Sequence, residues 1–263
     1  MSERLEGRNR PVHAASIPAL WFDQLDSTNA EARRRADAGE AGPLWIAARH
    51  QTAGRGRRGR AWEAGQGNLA ATLLMTTPSA AAEAAQLSFV AAFAVRDLAV
   101  RYAPETLVRL KWPNDVLISG AKAAGILIES GRRGDGDLWL AIGVGVNLAS
   151  APEGLDYPAT SLSAHLGPQA TRPPSPDEAL PILADAFSHW LGVWERDGFA
   201  PLQAEWTRWA IGLGARCVAR LGDRAIEGVA VRMASDGALV LRLDSGELQR
   251  ITAGDVFFAD PPH

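Results

Sequence analysis

Residues 54–60 read Gly54-Arg55-Gly56-Arg57-Arg58-Gly59-Arg60. Glycines this dense disfavour a helix and make the segment costly in entropy to order. Arginine forks match phosphate or carboxylate oxygens, and glycine lets backbone N–H groups approach a ligand closely. No acid lies between Arg49 and Arg60, which favours a loop closing on an anion over a solvated basic run. Gly54, Gly56 and Gly59 also satisfy G-x-G-x-x-G, a dinucleotide motif only where a helix opens at its end. Here a second loop at residues 61–67 and then an apolar run follow, so that reading is rejected.

Three further segments carry rare residue types at strand ends. Lys111-Trp112-Pro113-Asn114-Asp115 offers a cation, an amide, a carboxylate and a flat aromatic in one turn. Asp115 could hold Mg²⁺ and Lys111 or Asn114 could reach phosphate or ribose; a self-capped Asn-Asp turn accounts for the same residues equally well. Lys122 opens an apolar strand, as a solvated end or, with Arg57, as a cation facing a phosphoryl or acyl group. Gly143-Val144-Gly145-Val146-Asn147 has two glycines on one face. They leave room for a flat group that Asn147 could read by hydrogen bonds, or simply for close strand packing. No Ser-His-Asp or Cys-His grouping stands out among the scattered His13, His50, His165, His189 and His263. Such an inventory suits electrostatics and positioning, as in phosphoryl or nucleotidyl transfer.

The elements that must carry these groups follow from periodicity. Apolar runs predict strands at residues 20–22, 44–48, 69–76, 107–112, 116–118, 124–129 and 138–148,. Asp26 to Glu31 opens a helix with Thr28 and Glu31 as a capping box and Gly39 as its stop. Leu87, Val90, Phe93 and Leu98 predict one core helix over residues 79–102,. A later helix is signalled at Ser175-Pro176, but Pro181 in its interior would cost about 3 kcal/mol, which moves the expected start towards Leu180. Phe199, Leu202, Trp206 and Trp209 form the core face of a last helix opened by Pro201. These elements predict an α+β fold with a largely antiparallel or mixed sheet. After Gly212 short alternating strands with Gly222-Asp223, Asp236-Gly237 and Ser245-Gly246 turns predict a small closed barrel,.

The 263 residues suffice for one large domain and one small one, and the net charge of −3 confines the basic loop to a local role,. The single Cys217 excludes an internal disulfide and reads as a buried structural thiol,. Residues 1–15 read as a loose tail. With no apolar leader and no stretch long enough to span a bilayer, a cytoplasmic protein is expected.

Together these segments resemble the biotin–protein ligases, that is, the biotin–[acetyl-CoA-carboxylase] ligases. The stretches that match, in the family's order, are Asp26-Ser27-Thr28-Asn29, residues 51–60 with Trp62, Lys111 to Asp115, Lys122 with Gly125-Ile126-Leu127-Ile128-Glu129, and Gly143 to Asn147,. The resemblance covers residues 20–258. It implies a class II aminoacyl-tRNA synthetase-like mixed β-sheet catalytic domain with helices at residues 1–212. A small C-terminal SH3-like β-barrel would occupy residues 213–263. It further implies that biotin and MgATP give biotinyl-5′-AMP, which hands biotin to a lysine of a biotin carboxyl carrier protein. By the family's pattern Ser27, Thr28, Asn29, Gln51, Arg55, Gly56, Arg57, Lys122 and Gly125 would meet biotin, with Lys122 and Arg57 catalytic. Trp62, Lys111, Asn114 and Asn147 would serve ATP and the adenylate, and Asp115 would hold Mg²⁺. The loop at 54–60 is expected to be disordered without ligand. Some members carry an N-terminal winged helix-turn-helix and repress biotin genes. Here the motifs start near Trp21, so a monofunctional ligase is expected, monomer or homodimer, with no nucleic-acid or membrane partner. A lipoate or octanoate ligase on the same fold, or a non-catalytic biotin sensor, are the competing readings.

Overall fold

A computed structural model describes residues 17–258; the expected tail at residues 1–15, His13 and His263 lie outside them. Strand β1 (Ala19–Leu25) leads into helix α1 (Thr28–Asp37), which crosses to β2 (Leu44–Gln51), parallel to β1. Strand β3 (Leu69–Thr77) runs antiparallel to β2. Helices α2 (Ala81–Ala84) and α3 (Leu87–Val100) follow. Then come β4 (Val108–Lys111), β5 (Asp115–Ile118), β6 (Ala121–Arg132) and β7 (Leu138–Val146). These seven strands form one mixed sheet in the order β1-β2-β3-β7-β6-β5-β4.

The two-residue period of the strands divides their side chains between two layers. Leu140, Ile142, Val144 and Val146 of β7 join the main core under α3 and α4 (Pro176–Asp197). Ala141 of β7 instead joins Ile46, Leu74 and Ala32 beneath α1. Gly143 and Gly145 therefore face the α1 side, where α1 packs mainly on β2, β3 and β7 and reaches β6 through Asn29.

Several sequence expectations change here. The helix expected over residues 79–102 is broken into α2 and α3, because i→i+3 bonds such as Gln86 N–H to Glu83 and Phe89 N–H to Gln86 interrupt the α-helical ladder,. Helix α4 starts at Pro176, not near Leu180, although Pro181 lies inside it. Ser175 and Glu178 form a reciprocal capping box, and Ala179, Leu180 and Leu183 bury against the core. Those gains offset the one backbone bond that Pro181 forfeits. At α1 the cap is Ser27, and the Thr28 hydroxyl bonds Gln51 and Thr72 rather than closing a capping box on Glu31.

Helix α5 (Ala200–Trp209) buries Leu202 and Trp206. It leads into a second, five-stranded antiparallel sheet: β8 (Arg216–Leu221), β9 (Arg224–Met233), β10 (Leu239–Arg242), β11 (Leu248–Ile251) and β12 (Asp255–Phe258). Its order is β11-β10-β9-β8-β12, so this SH3-like unit stays open between β11 and β12 instead of closing its ladder. Strand β12 has no counterpart among the strands that the sequence predicts at residues 216–221, 225–233, 238–243 and 247–251. The Trp112 indole donates to Gly237 O at 2.9 Å, joining the two sheets through the 111–115 turn. Cys217 is buried, and burial pushes its thiol up, as suits a structural role,.

Candidate active site

On the open face of the larger sheet a cavity of about 320 Å³ lies between both units. All the residues that the resemblance assigned to biotin, ATP or Mg²⁺ line it except Asn147. Its floor is the glycine pair Gly125 and Gly145, registered opposite each other on β6 and β7. The indole of Trp62 lies across both. A Cβ on Gly145 would fall 2.3 Å from that ring, and one on Gly125 3.3 Å from it. The room for a flat group at the second glycine is thus taken by the chain's own tryptophan, whose buried Nε1–H has no partner. Gly143 is filled likewise, by the Asn29 amide, whose Oδ1 a Cβ would meet at 2.2 Å.

Lys122 reaches this floor through a kink. Residues 122 and 125 would point to opposite faces of a regular strand. The β5–β6 register shifts between Val116 and Leu117, leaving Ala123 unpaired. Such a bulge re-aims a side chain, and the Lys122 Nζ ends 2.6 Å from Asp115 Oδ1. Its backbone is pinned on the other edge, donating to Pro158 O and accepting from Thr160 N–H. That pairing brings Asp156 and Tyr157 to the cavity, with the Tyr157 ring 5.5 Å from Nζ. Nothing in the local pattern of their Pro-rich segment marked these two residues. Asn147 stands behind the wall: it is buried, its Nδ2 donates to Thr160 O, and its N–H donates to Ala123 O. It thereby holds the Tyr157 segment beside the cavity.

At the opposite wall the tip of α1 meets β2. Gln51 Oε1 accepts from the Thr28 N–H at 2.8 Å and lies 3.1 Å from the Thr28 hydroxyl. Lys111, on the cation-rich side, is lowered from the ordinary lysine range by burial first, with Lys122 and Arg60 adding to it and Asp115 and Asp255 opposing,. Burial also pushes the Arg57 guanidinium down, against Asp255 and Asp115. Both cations thus lack full compensation inside the protein, as a site for a polyanion requires.

The arginine loop is a tight hairpin folded over this cavity. Gly56 N–H donates to Arg60 O at 2.7 Å and Trp62 N–H to Gly54 O at 3.0 Å. A Cβ on Gly54 would meet Trp62 O at 2.2 Å, so only glycine fits. Arg57 donates to Asn114 Oδ1 at 3.3 Å. Asp255 of β12 then gathers three of the arginines: Arg60 at 3.0 Å, and Arg57 and Arg58 at 3.7 Å each. Arg58 adds a bond to Arg220 O at 2.8 Å. The smaller unit thus latches a loop of the larger one, which sequence spacing could not reveal. Partial exposure of Arg58 and Arg60 discounts the latch to about 1 kcal/mol. Asp255→Asn should therefore speed tryptic cleavage at residues 55–60 about fivefold; an unchanged cleavage rate would rule the latch out.

This arrangement has counterparts in known proteins. The Biotin/lipoate A/B protein ligase family matches residues 21–147, and the Biotin protein ligase C terminal domain matches residues 212–259. A biotin–[acetyl-CoA-carboxylase] ligase of Paracoccus denitrificans is 43% identical over 237 residues, 89% of this chain and 98% of its own length. The chain belongs to the biotin protein ligase family. Another biotin–[acetyl-CoA-carboxylase] ligase, from Mycobacterium tuberculosis, is 33% identical over 239 residues, 89% of this chain and 86% of that protein. Among solved structures, a biotin protein ligase from Aquifex aeolicus in complex with biotin and ATP superposes with a TM-score of 0.74. It is 25% identical, and the match covers 92% of this chain and 98% of that one.

Proposed function

We propose that this one cavity carries both half-reactions of a biotin–protein ligase. The enzyme activates biotin with MgATP to biotinyl-5′-AMP and pyrophosphate, then passes biotin to a specific lysine of the biotin carboxyl carrier protein of acetyl-CoA carboxylase, releasing AMP. The observation that carries the site assignment is the meeting of two unlike walls. The polar tip of α1 with Gln51 faces Lys111, Lys122 and Arg57 across one glycine floor. The first wall suits the ureido ring of biotin, which needs paired donors and acceptors; the second suits a triphosphate.

In the first step a carboxylate oxygen of biotin attacks the α-phosphorus and the bond to pyrophosphate breaks. Lys122, bonded to Asp115 beforehand, turns its ammonium to the charge growing on the phosphoryl oxygens and the biotin carboxylate,. In the second step the carrier amine attacks the acyl carbon, loses a proton, and AMP departs. Arg57, with Arg55 and Gly56 of the loop, keeps water from the reactive adenylate, while Trp62 packs against adenine and Asn114 with Lys111 serves the nucleotide. Magnesium fits as a passenger on the phosphates. Among the described residues no group of three or more His, Cys, Asp or Glu is set to hold a metal alone, and Mg²⁺ is commonly held by one or two carboxylates plus substrate phosphates. Asp115 is the carboxylate assigned to it, and the ion would neutralise phosphate charge there.

The catalytic unit is assigned to residues 1–212 and the SH3-like unit to 213–263. The enzyme is assigned to the cytoplasm, as a monomer or homodimer working without nucleic acid or membrane. The direct test is mass spectrometry of a carrier domain incubated with the protein and MgATP, with biotin or lipoate. One biotin on one lysine is expected, and lipoate should give none; lipoate transfer without biotin transfer would overturn the assignment.

Lys111 gives the pH dependence. Its lowered pKa means it loses its charge on the alkaline side earlier than an ordinary lysine, which titrates near about 10.4,. The KM for ATP should therefore rise below that pH, and Lys111→Arg, which keeps its charge, should flatten the rise. A wild-type profile flat to that pH would remove Lys111 from nucleotide binding.

A further inference from the structure

Behind the biotin wall runs a chain of polar groups that begins outside the cavity and ends on Thr28 and Gln51 at its edge. Glu129 of β6 accepts from Asn29 Nδ2 at 2.8 Å. Thr72 of β3, fully buried, stands 2.7 Å from Asn29 Oδ1 and 2.8 Å from Thr28 Oγ1. Neither Glu129 nor Thr72 lines the cavity.

The order of protons along this chain is dictated from one end. A carboxylate at neutral pH only accepts, so the amide of Asn29 must present its Nδ2 to Glu129. Its Oδ1 then faces Thr72, and an amide oxygen also only accepts, so Thr72 spends its one proton there. The hydroxyl of Thr28 has Thr72 Oγ1 at 2.8 Å and Gln51 Oε1 at 3.1 Å as acceptors, and its proton goes inward by either route. What Thr28 has left for a ligand is lone pairs. Gln51 Oε1 is engaged by the Thr28 N–H, so its Nε2 donors are what it has left to offer.

We propose that Glu129 and Thr72 are positioning residues that set the hydrogen-bond polarity of the recognition wall: they fix Asn29 and turn the Thr28 hydroxyl inward, so that Thr28 meets a ligand as an acceptor beside Gln51, which the Thr28 N–H leaves as a donor. A cyclic urea, with N–H donors flanking one carbonyl, is the complement of that pattern. The proposal rests on the assignment of this wall to biotin. Arg55 of the closing loop lies 4.0 Å from the other oxygen of Glu129, so the same carboxylate also touches the lid. Asn29 Nδ2 has a second, longer acceptor in Leu127 O at 3.4 Å; glutamine at position 129 could donate as well as accept, and would leave that weaker bond alone to hold the amide.

The experiment is calorimetric titration of the full-length protein with biotin, together with steady-state KM values for biotin and ATP. The variants are Glu129→Gln, Thr72→Val and Thr72→Ser. Glu129→Gln and Thr72→Val are each expected to weaken biotin by about tenfold or more with the KM for ATP held within about twofold. Thr72→Ser, which keeps the hydroxyl, should restore binding to within about threefold of wild type. The double variant should be little worse than either single one, since both break the same chain. Biotin affinity within about twofold of wild type in both single variants, losses that multiply in the double variant, or equal weakening of ATP would overturn the proposal. If Thr72→Val fails to fold, Glu129→Gln, at a partly exposed position, decides alone. A wild-type protein that binds no biotin would instead sink the functional assignment beneath it.

Discussion

Replacing Lys122 with alanine lowers biotin transfer to the carrier domain by about 10²- to 10³-fold, the loss expected when one preorganised cation is taken from a developing oxyanion. The size follows from how firmly the ammonium is held. The β5–β6 bulge aims it, Pro158 and Thr160 fix its backbone on one edge, and Asp115 waits at 2.6 Å. A group aimed this way has only to turn from Asp115 to the reacting oxygens, its backbone staying fixed. Biotin binding should fall less than turnover, because the ammonium acts most strongly on charge that exists only in the transition state. Mass spectrometry of the carrier, with calorimetry for biotin, measures both. Transfer within tenfold of wild type would show that the critical cation lies elsewhere, Lys111 and Arg57 being next in line.

Gly145→Val should weaken nucleotide and biotin binding by about 10- to 100-fold, in line with the 1–3 kcal/mol of overpacking a filled site. The backbone does not object, since position 145 lies inside a central strand and valine favours strands,. The obstacle is on the cavity side, where the new Cβ would sit 2.3 Å from the Trp62 ring. The indole must leave the sheet, and the γ-methyls then occupy the floor. Thermal stability should change little beside the loss of binding, and Trp62 should become more exposed by fluorescence quenching. Wild-type affinity for both substrates in this variant would mean that the glycine floor is not where they lie.

Much of this site was legible because its parts are continuous in sequence. The 54–60 loop, the 111–115 turn and the 143–147 strand each carry their chemistry within a few residues, and each reads as unusual on its own. Resemblance to a family added the order and the roles. What escaped was whatever depends on sheet geometry. The register shift that aims Lys122 leaves no mark in the apolar run Ala123-Ala124-Gly125. Tyr157 reaches the cavity only because its segment pairs beside Lys122. Asn147 reads as a nucleotide contact, and its hold on that segment through Thr160 shows only in the fold. The local cost of Pro181 is visible in the sequence, whereas the burial of Leu180 and Leu183 that outweighs it appears only in the packed helix. Thr72 reads simply as a strand residue until α1 is laid over it.

The carboxylate that gathers the loop arginines lies 195 residues downstream of Arg60. At about 5–20 residues per second of synthesis, the arginines emerge some 10–40 s before their partner exists. During that interval the growing polypeptide has its glycine floor and its cations in prospect but nothing to fasten the lid. Until Asp255 is made the loop lacks a latch worth about 1 kcal/mol, so its lid opens about fivefold more often than in the folded protein.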